Sequence, residues 1–209
     1  MRPSTHPKNQ PTRKLKYLLG AVIILLTAFS GIHPSDNDRA ATVGNADLKV
    51  SGTSNLHDWT MEAKNISCSP VFTFLPGNLS EPTSLTALTL SVPIRQLKSG
   101  KSSMDSKAYD ALKEKKFNSI VFEMTQATII PGEKNKFLVK TTGNLNIAGV
   151  SKLVTIDVTG LINTDGTITC KGTEHLKMSD FQIKPPVFML GALKTGDELT
   201  IDFTVSVKK

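Results

Sequence analysis

Apolar and polar residues alternate with a period of two along most of this chain, and this pattern limits the folds that it can adopt. From Leu88 to Ile94 the even-numbered residues are apolar, and the residues between them are threonine, serine and proline. Successive side chains of a strand point to opposite faces, so such a run predicts a half-buried strand. Seven further runs share the pattern: Leu48/Val50, Trp59/Met61/Ala63, Ile120/Phe122/Met124, Phe137/Val139 to Leu145/Ile147, Val154/Ile156/Val158, Ile168/Cys170 and Leu199 to Val207. About eight closely spaced strands predict an all-β fold, an antiparallel sandwich or barrel.

Short turn sequences separate several of these runs. Pro131-Gly132, Ala148-Gly149 and Asp165-Gly166 each lie between two predicted strands. Glycine and proline at these places are typical of tight hairpin connections. We therefore expect neighbouring strands to pair in sequence order.

One segment has a helical period instead. In residues 102–117, SSMDSKAYDALKEKKF, the apolar residues Met104, Ala108, Ala111 and Leu112 fall on one face of a helix. Ser102 and Asp105 have the spacing of a capping box. We predict one helix near residues 104–116 that covers one side of the barrel, in preference to a helix that binds a partner.

The first thirty residues have the parts of a secretory signal peptide. Arg13, Lys14 and Lys16 form a basic region, residues 17–29 are mostly apolar, and small residues stand at the −3 and −1 positions of a cleavage site after Ser30. The apolar stretch is short for a membrane span, and an uncleaved anchor is the alternative. We predict that residues 1–30 are removed and that the protein is periplasmic or secreted, with no stable membrane span after processing.

Without this leader the chain has little net charge. The whole chain carries +7, but residues 1–30 hold five Lys or Arg and no acid, which leaves 20 basic and 18 acidic residues. A net charge of +2 with only short lysine runs does not indicate a nucleic-acid partner. Residues 31–45 have few large apolar side chains and are predicted as a flexible lead-in, and residues 46–209 as one domain.

The sequence contains two cysteines, Cys68 and Cys170. Export would permit a disulfide between them, because oxidising compartments allow such bonds to persist. Two buried free thiols are an equally good interpretation, since free cysteine is a common core residue.

The sequence shows no motif for catalysis or metal binding. Neither His57 nor His175 has a second His or a Cys at the spacing of a zinc site, and phosphate-binding and nucleophile motifs are absent. Acidic residues alternate with apolar ones on the strands and are predicted to face solvent: Glu123, Asp157, Glu174 and Asp202. We predict a protein that is not an enzyme and has no metal and no cofactor.

Four segments carry a resemblance to a known family. They are GTSNLHDW near the start, MDSKAYDALKEKKFNSIVFEM around the helix, GNLNIAGVSKLVTIDV in a central hairpin, and KMSDFQIKPPVFMLGALKTGDELTIDF at the end. In this order they are similar to the YceI-like polyisoprenoid-binding family over roughly residues 46–207. The family segment G-x-L-x-I-x-G-x-x-K-x-V matches at Gly143, Leu145, Ile147, Gly149, Lys152 and Val154.

The resemblance implies a lipocalin-like antiparallel β-barrel of about eight strands with one inserted α-helix. Such a barrel would hold an isoprenoid-type lipid inside and would catalyse no reaction. The chain departs from the family where SDFQI stands in place of D-F-G-I, because Gln182 adopts a positive φ less readily than glycine. It departs again at HDW near the start.

A lipid inside this barrel would need continuous apolar walls. The predicted lipid-binding residues are the inward-facing or loop residues Trp59, Met61, Leu88, Leu90, Val92, Phe122, Met124, Leu145, Ile147, Ile156, Met178, Phe181, Phe188, Met189 and Leu190. The apolar run 187–190 follows Pro185 and Pro186, which predicts a stiff lid over the mouth of the barrel. Lys152 and Lys184 are the predicted contacts for an anionic head group.

Two other functions stay open at this point. The same apolar residues would fill an ordinary core, which leaves an exported interaction module with no lipid and with Phe188 in an exposed patch. An enzyme acting on an isoprenoid is the third reading. Ligand identity and length, head group, oligomeric state and pathway do not follow from the sequence.

Overall fold

The computed structural model describes residues 38–75 and 78–208, so the predicted leader and residues 31–37 lie outside the described residues. One α-helix, α1 (Ser102–Ala111), lies within these ranges, along with three short 3-10 turns at Ile94–Gln96, Met178–Phe181 and Met189–Gly191. The strands are β1 (Asp38–Ala40), β2 (Thr42–Ser54), β3 (Trp59–Ala63), β4 (Ser67–Leu75), β5 (Asn78–Pro93), β6 (Ser119–Pro131), β7 (Lys136–Ile147), β8 (Val150–Ile162), β9 (Ile168–Lys177), β10 (Val187–Phe188) and β11 (Leu193–Lys208).

The strands form one curled antiparallel sheet with the order β1-β4-β5-β6-β7-β8-β9-β11-β2-β3, and the short strand β10 pairs with β11. Strands β4 to β9 are neighbours in sequence order, as their turns predict. The chain passes from β1, which pairs with β4, through Ala41 directly into β2, which pairs with β11. The two ends of the sheet are thereby connected by a single segment. The predicted all-β, lipocalin-like antiparallel barrel with one inserted helix is confirmed.

The two ends of this barrel are packed differently. We call the end that carries the β6–β7 and β8–β9 turns the far end, and the end that carries α1 and the β7–β8 turn the helix end. The half of the interior toward the far end is filled by large buried side chains from several strands, among them Phe72, Phe74, Phe137, Ile168 and Val207. Any space for a ligand must therefore lie toward the helix end.

The helix α1 is held by the segment that follows β5. Asp105 accepts hydrogen bonds from the backbone N–H of Ser99 at 2.8 Å and from its hydroxyl at 2.7 Å. Burial opposes ionisation of Asp105, but these hydrogen bonds outweigh it and hold the pKa of the carboxyl below its ordinary value. The Tyr109 hydroxyl donates to the carbonyl of Leu97 at 2.9 Å. The predicted capping box is wrong, because the N-cap is Lys101 and Asp105 binds Ser99 instead of Ser102.

Two sequence predictions differ from the structure at particular residues. Residues 38–40 and 42–45 are strand residues and not a flexible lead-in, because they pair with β4 and β11.

Glu174 shares the inward face of β9 with Cys170 and Leu176, and burial raises the pKa of its carboxyl. The solvent-facing prediction for Glu174 is therefore wrong.

The two cysteines are free thiols, so the disulfide that the sequence permitted is not formed. Burial raises the pKa of Cys68 to about 11. It raises the pKa of Cys170 to about 12, with a further contribution from the neighbouring Cys68. Both thiols are protonated at neutral pH and act as apolar core groups.

Gln182 occupies a left-handed backbone conformation, with φ 55° and ψ 31°, directly after the turn Met178–Phe181. This is the position at which the family often has glycine. A side chain in this conformation costs about 1–2 kcal/mol, and glycine would relieve the cost while adding freedom to the unfolded chain.

We expect Gln182→Gly to raise the free energy of unfolding by about 0.5–1 kcal/mol, measured by urea denaturation. Gln126→Gly is the matched control, because Gln126 is equally exposed but lies in strand β6, where glycine is expected to destabilise. Equal losses of stability in the two variants would contradict the assignment of strain to Gln182.

Candidate functional site

A cavity of about 320 Å³ lies at the helix end of the barrel. Its wall is almost entirely apolar and combines one face of α1, the segment that follows β9, and inward-facing residues of β2, β3, β9 and β11. Its volume is at the lower end of the range of small-molecule sites, about 300–1,000 Å³. The arrangement suits an apolar group that needs few directional contacts.

The helix supplies one wall of this cavity. Met104, Ala108, Ala111 and Leu112 are spaced by four, three and one residues, which places them on one face. The small alanine side chains leave space between the helix and the sheet. The helix therefore lines a hollow in addition to covering the end of the barrel.

The strand β3 supplies an aromatic side of the cavity. Trp59 pairs with Gly52 of β2, and a Cβ at Gly52 would overlap the indole ring. The missing side chain lets the ring lie against the neighbouring strand. The indole Nε1 donates to the carbonyl of Thr53 at 3.0 Å, so the polar atom of Trp59 is satisfied and its ring is available to the cavity.

The segment after β9 closes the helix end in two parts. Met178, Phe181 and Ile183 are buried in a cluster with Phe122 and Leu145 and form a plug that also lines the cavity. Beyond two prolines, β10 and β11 form a small hairpin in which Val187 pairs with Lys194 and Phe188 with Leu193. Phe188 and the largely exposed Met189 line the cavity, and Val187 and Leu190 are exposed without lining it.

Polar groups lie among the lining residues of the cavity: Ser54, His57, Lys101, Ser103, Lys177 and Thr195. Lys177 forms an ion pair with Glu198 at 3.7 Å. Lys101 is exposed and makes no ion pair among the residues that the structure describes. Lys101 is therefore the cation at the cavity that is available to an anionic group.

Comparison with known families decides what kind of domain this is. The model of the YceI-like domain matches residues 40–207, which is most of the chain. The chain belongs to the YceI-like family. A comparison with curated proteins gives no significant match.

Solved structures similar to this YceI-like domain support the same fold. BcnA of Burkholderia cenocepacia is 20% identical with a TM-score of 0.58, over 78% of this chain and 95% of that chain. A polyisoprenoid binding domain from Saccharophagus degradans, implicated in plant cell wall breakdown, is 10% identical with a TM-score of 0.58, over 81% of this chain and 97% of that chain. The Campylobacter jejuni YceI protein is 23% identical with a TM-score of 0.50, over 68% and 82% of the two chains. These identities establish a shared fold.

The structure of this YceI-like domain brings about half of the predicted lipid-binding residues to the cavity. Those that line it are Trp59, Met61, Ile147, Met178, Phe181, Phe188 and Met189. The strand residues that pack elsewhere in the barrel core are Leu88, Leu90, Val92, Phe122, Met124, Leu145 and Ile156, and Leu190 is fully exposed. Contact of any of these residues with a lipid stays a prediction.

The predicted head-group lysines do not reach the cavity of the YceI-like domain. Lys152 forms an ion pair with Asp180 of the turn Met178–Phe181 at 3.2 Å, and Lys184 is exposed. Neither residue lines the cavity. The sequence signal that would have found Lys101 is its position directly before the amphipathic helix, since the start of that helix faces the cavity.

Sequence reasoning also missed much of the lining of the YceI-like cavity. The face of α1 was identified but was read as a cover, and strand residues on the correct face were not selected: Val50, Leu176, Leu199 and Ile201. Among residues 38–75 and 78–208, no group of three or more His, Cys, Asp or Glu side chains is arranged to hold a metal ion. The same residues include no helix with the length and apolar character needed to span a membrane.

Proposed function

We propose that this YceI-like domain is an exported protein that binds an apolar lipid chain, of the isoprenoid class, in the cavity at the helix end. The observation that carries the proposal is the cavity itself, whose wall is almost entirely apolar. Burial of each methylene contributes about 0.8 kcal/mol, so an apolar chain gains affinity here without specific hydrogen bonds. Family membership and the polyisoprenoid binding domain of Saccharophagus degradans support the same class of ligand.

The packing of the barrel limits how the ligand would lie. The far half of the interior is filled by Phe72, Phe74 and Phe137, so a chain that enters from the helix end stops there. A volume of about 320 Å³ suits a short apolar chain or one end of a longer chain. The remainder of a long isoprenoid would leave past the rim, where Lys101 is the proposed contact for an anionic head group.

The hollow favours a ligand-binding protein over an interaction module with a filled core. A filled core would pack at the density of the far half, where large side chains leave few voids. At the helix end, large apolar side chains surround a space that they do not fill, and Ala108 and Ala111 of α1 face it with small side chains. The proposal includes no catalytic step, in agreement with the absence of a recognised catalytic motif in the sequence.

Native mass spectrometry of the purified chain, followed by solvent extraction and lipid analysis, tests the proposal. We expect an apolar lipid to accompany the folded protein and to be released on unfolding. A folded chain that carries no lipid, and that takes up none from a mixture of isoprenoid alcohols and phosphates, would overturn the proposal.

N-terminal sequencing of the exported form tests the location of the protein. We expect processing after Ser30, and a chain that begins at Met1 in the membrane fraction would contradict this expectation.

A further inference from the structure

Exposed apolar side chains are concentrated beside the cavity mouth. Met189 is 77% exposed, Leu56 70% and Val187 47%, and Leu190 is fully exposed. We call these four residues the apolar tip. Large exposed apolar residues that cluster in this way mark a surface that contacts another apolar phase.

The apolar tip is built from two loops that are held together. Asn55 donates from its side-chain amide to the carbonyl of Ala192 at 2.9 Å and accepts from the backbone N–H of Lys194 at 2.8 Å. Its own backbone N–H donates to the carbonyl of Lys194 at 3.1 Å. The β2–β3 loop that carries Leu56 is therefore fixed against the hairpin that carries Met189 and Leu190.

The backbone of the hairpin keeps these side chains outward at a cost. Met189 and Leu190 have φ values of 51° and 55°, in the left-handed region that side chains other than glycine rarely adopt. Neither side chain gains burial in return, since both are exposed. Backbone strain of this kind is concentrated at functional surfaces, and here it occurs at two exposed apolar side chains.

The charges around the apolar tip select the partner. The two loops of the apolar tip, residues 55–58 and 182–194, contain two exposed lysines, Lys184 and Lys194, and one exposed acid, Asp58. Neither lysine makes an ion pair within the described part of the chain. An apolar group of a few side chains flanked by cations is complementary to a membrane surface with anionic lipids, where apolar residues enter the interface and lysines meet phosphates.

We infer that the apolar tip docks on the surface of a membrane that contains anionic lipids, with the cavity mouth facing the bilayer. Phe188 and Met189 connect the apolar tip to the cavity lining, so a chain could pass from one apolar phase to the other without crossing water. Exchange of lipid through this contact rests on the proposed function, whereas the contact itself does not.

The test places an environment-sensitive fluorophore at the apolar tip through Leu190→Cys in the full chain. Ile130→Cys is the control, because Ile130 is an exposed apolar residue at the far end of the barrel. The unsubstituted chain gives the background from the two native thiols, of which Cys170 is buried and Cys68 is partly buried. Vesicles of phosphatidylcholine, with and without phosphatidylglycerol, are then added.

We expect the emission to shift to the blue at position 190 but not at position 130, and more strongly with phosphatidylglycerol. Replacing Lys184 and Lys194 together by glutamine should lower partitioning into the anionic vesicles roughly tenfold at low ionic strength. Leu190→Glu should lower it by a similar factor. The pair Lys134→Gln and Lys136→Gln removes the same charge at the far end and should leave partitioning unchanged.

Equal shifts at positions 190 and 130 would overturn the inference, because the chain would then adsorb through another region such as its N-terminal apolar segment. If the fluorophore at position 190 responds to a partner protein and to no vesicle, the apolar tip binds that protein and not a membrane. Lipid extraction from the same preparations separates the two proposals. A chain that holds lipid but does not dock contradicts only the docking, and one that docks without lipid contradicts only the proposed function.

Discussion

Replacing Ala108 by tryptophan is expected to abolish lipid retention while leaving the protein folded. Ala108 lies on the face of α1 that lines the cavity, and an indole at this position would occupy much of a space of about 320 Å³. Overpacking of a filled core costs about 1–3 kcal/mol, and a hollow should accept the ring at the lower end of that range. Native mass spectrometry and urea denaturation of the same preparation measure the two effects.

Ser106→Trp is the matched control for this experiment. Ser106 lies on the same helix, two residues away, and is exposed. It should retain the lipid, because its indole would point to solvent. If Ala108→Trp folds and still carries the full amount of lipid, the ligand does not occupy this cavity. If both variants lose it, the helix itself has been disturbed.

The strands could be predicted because each buries one face. Alternation alone located β7 and β8, and their turns gave the pairing order. The strand β4 was missed, since Pro70 interrupts its run and proline is uncommon inside a sheet. Residues before Ala46 looked unstructured because polar and small side chains dominate there, yet backbone pairing with β4 and β11 makes them strands.

The location of the cavity could not be predicted in the same way. The alternation of apolar and polar residues identifies the inward face of a strand. By this criterion Leu90 and Phe122 are inward-facing residues just as Trp59 is. Which part of the interior stays hollow depends on how far aromatic side chains from different strands fill the space, and on where Asp105 and Tyr109 anchor the helix. These are long-range contacts that no local pattern records.

Two phenylalanines of one segment should respond differently to the same truncation. Phe181 is 2% exposed and packs in the plug with Phe122 and Ile183, so Phe181→Ala is expected to lower the free energy of unfolding by about 3–5 kcal/mol. Phe188 is only half-buried and lies on the two-residue strand β10, so Phe188→Ala removes little core packing. Urea denaturation of the two variants gives the comparison directly.

The effect of Phe188→Ala should appear in ligand release instead. Phe188 lines the cavity from the small hairpin, two residues after Pro186, whose carbonyl accepts from the backbone N–H of Thr195 at 3.2 Å. Loss of the ring removes contact with a bound chain and leaves the hairpin bonds in place, so dissociation should accelerate. The release rate of a fluorescent isoprenoid analogue measures it. If Phe188→Ala loses as much stability as a core variant, the loop is part of the structural packing. If the variant folds and releases the ligand at an unchanged rate, Phe188 does not contact the ligand.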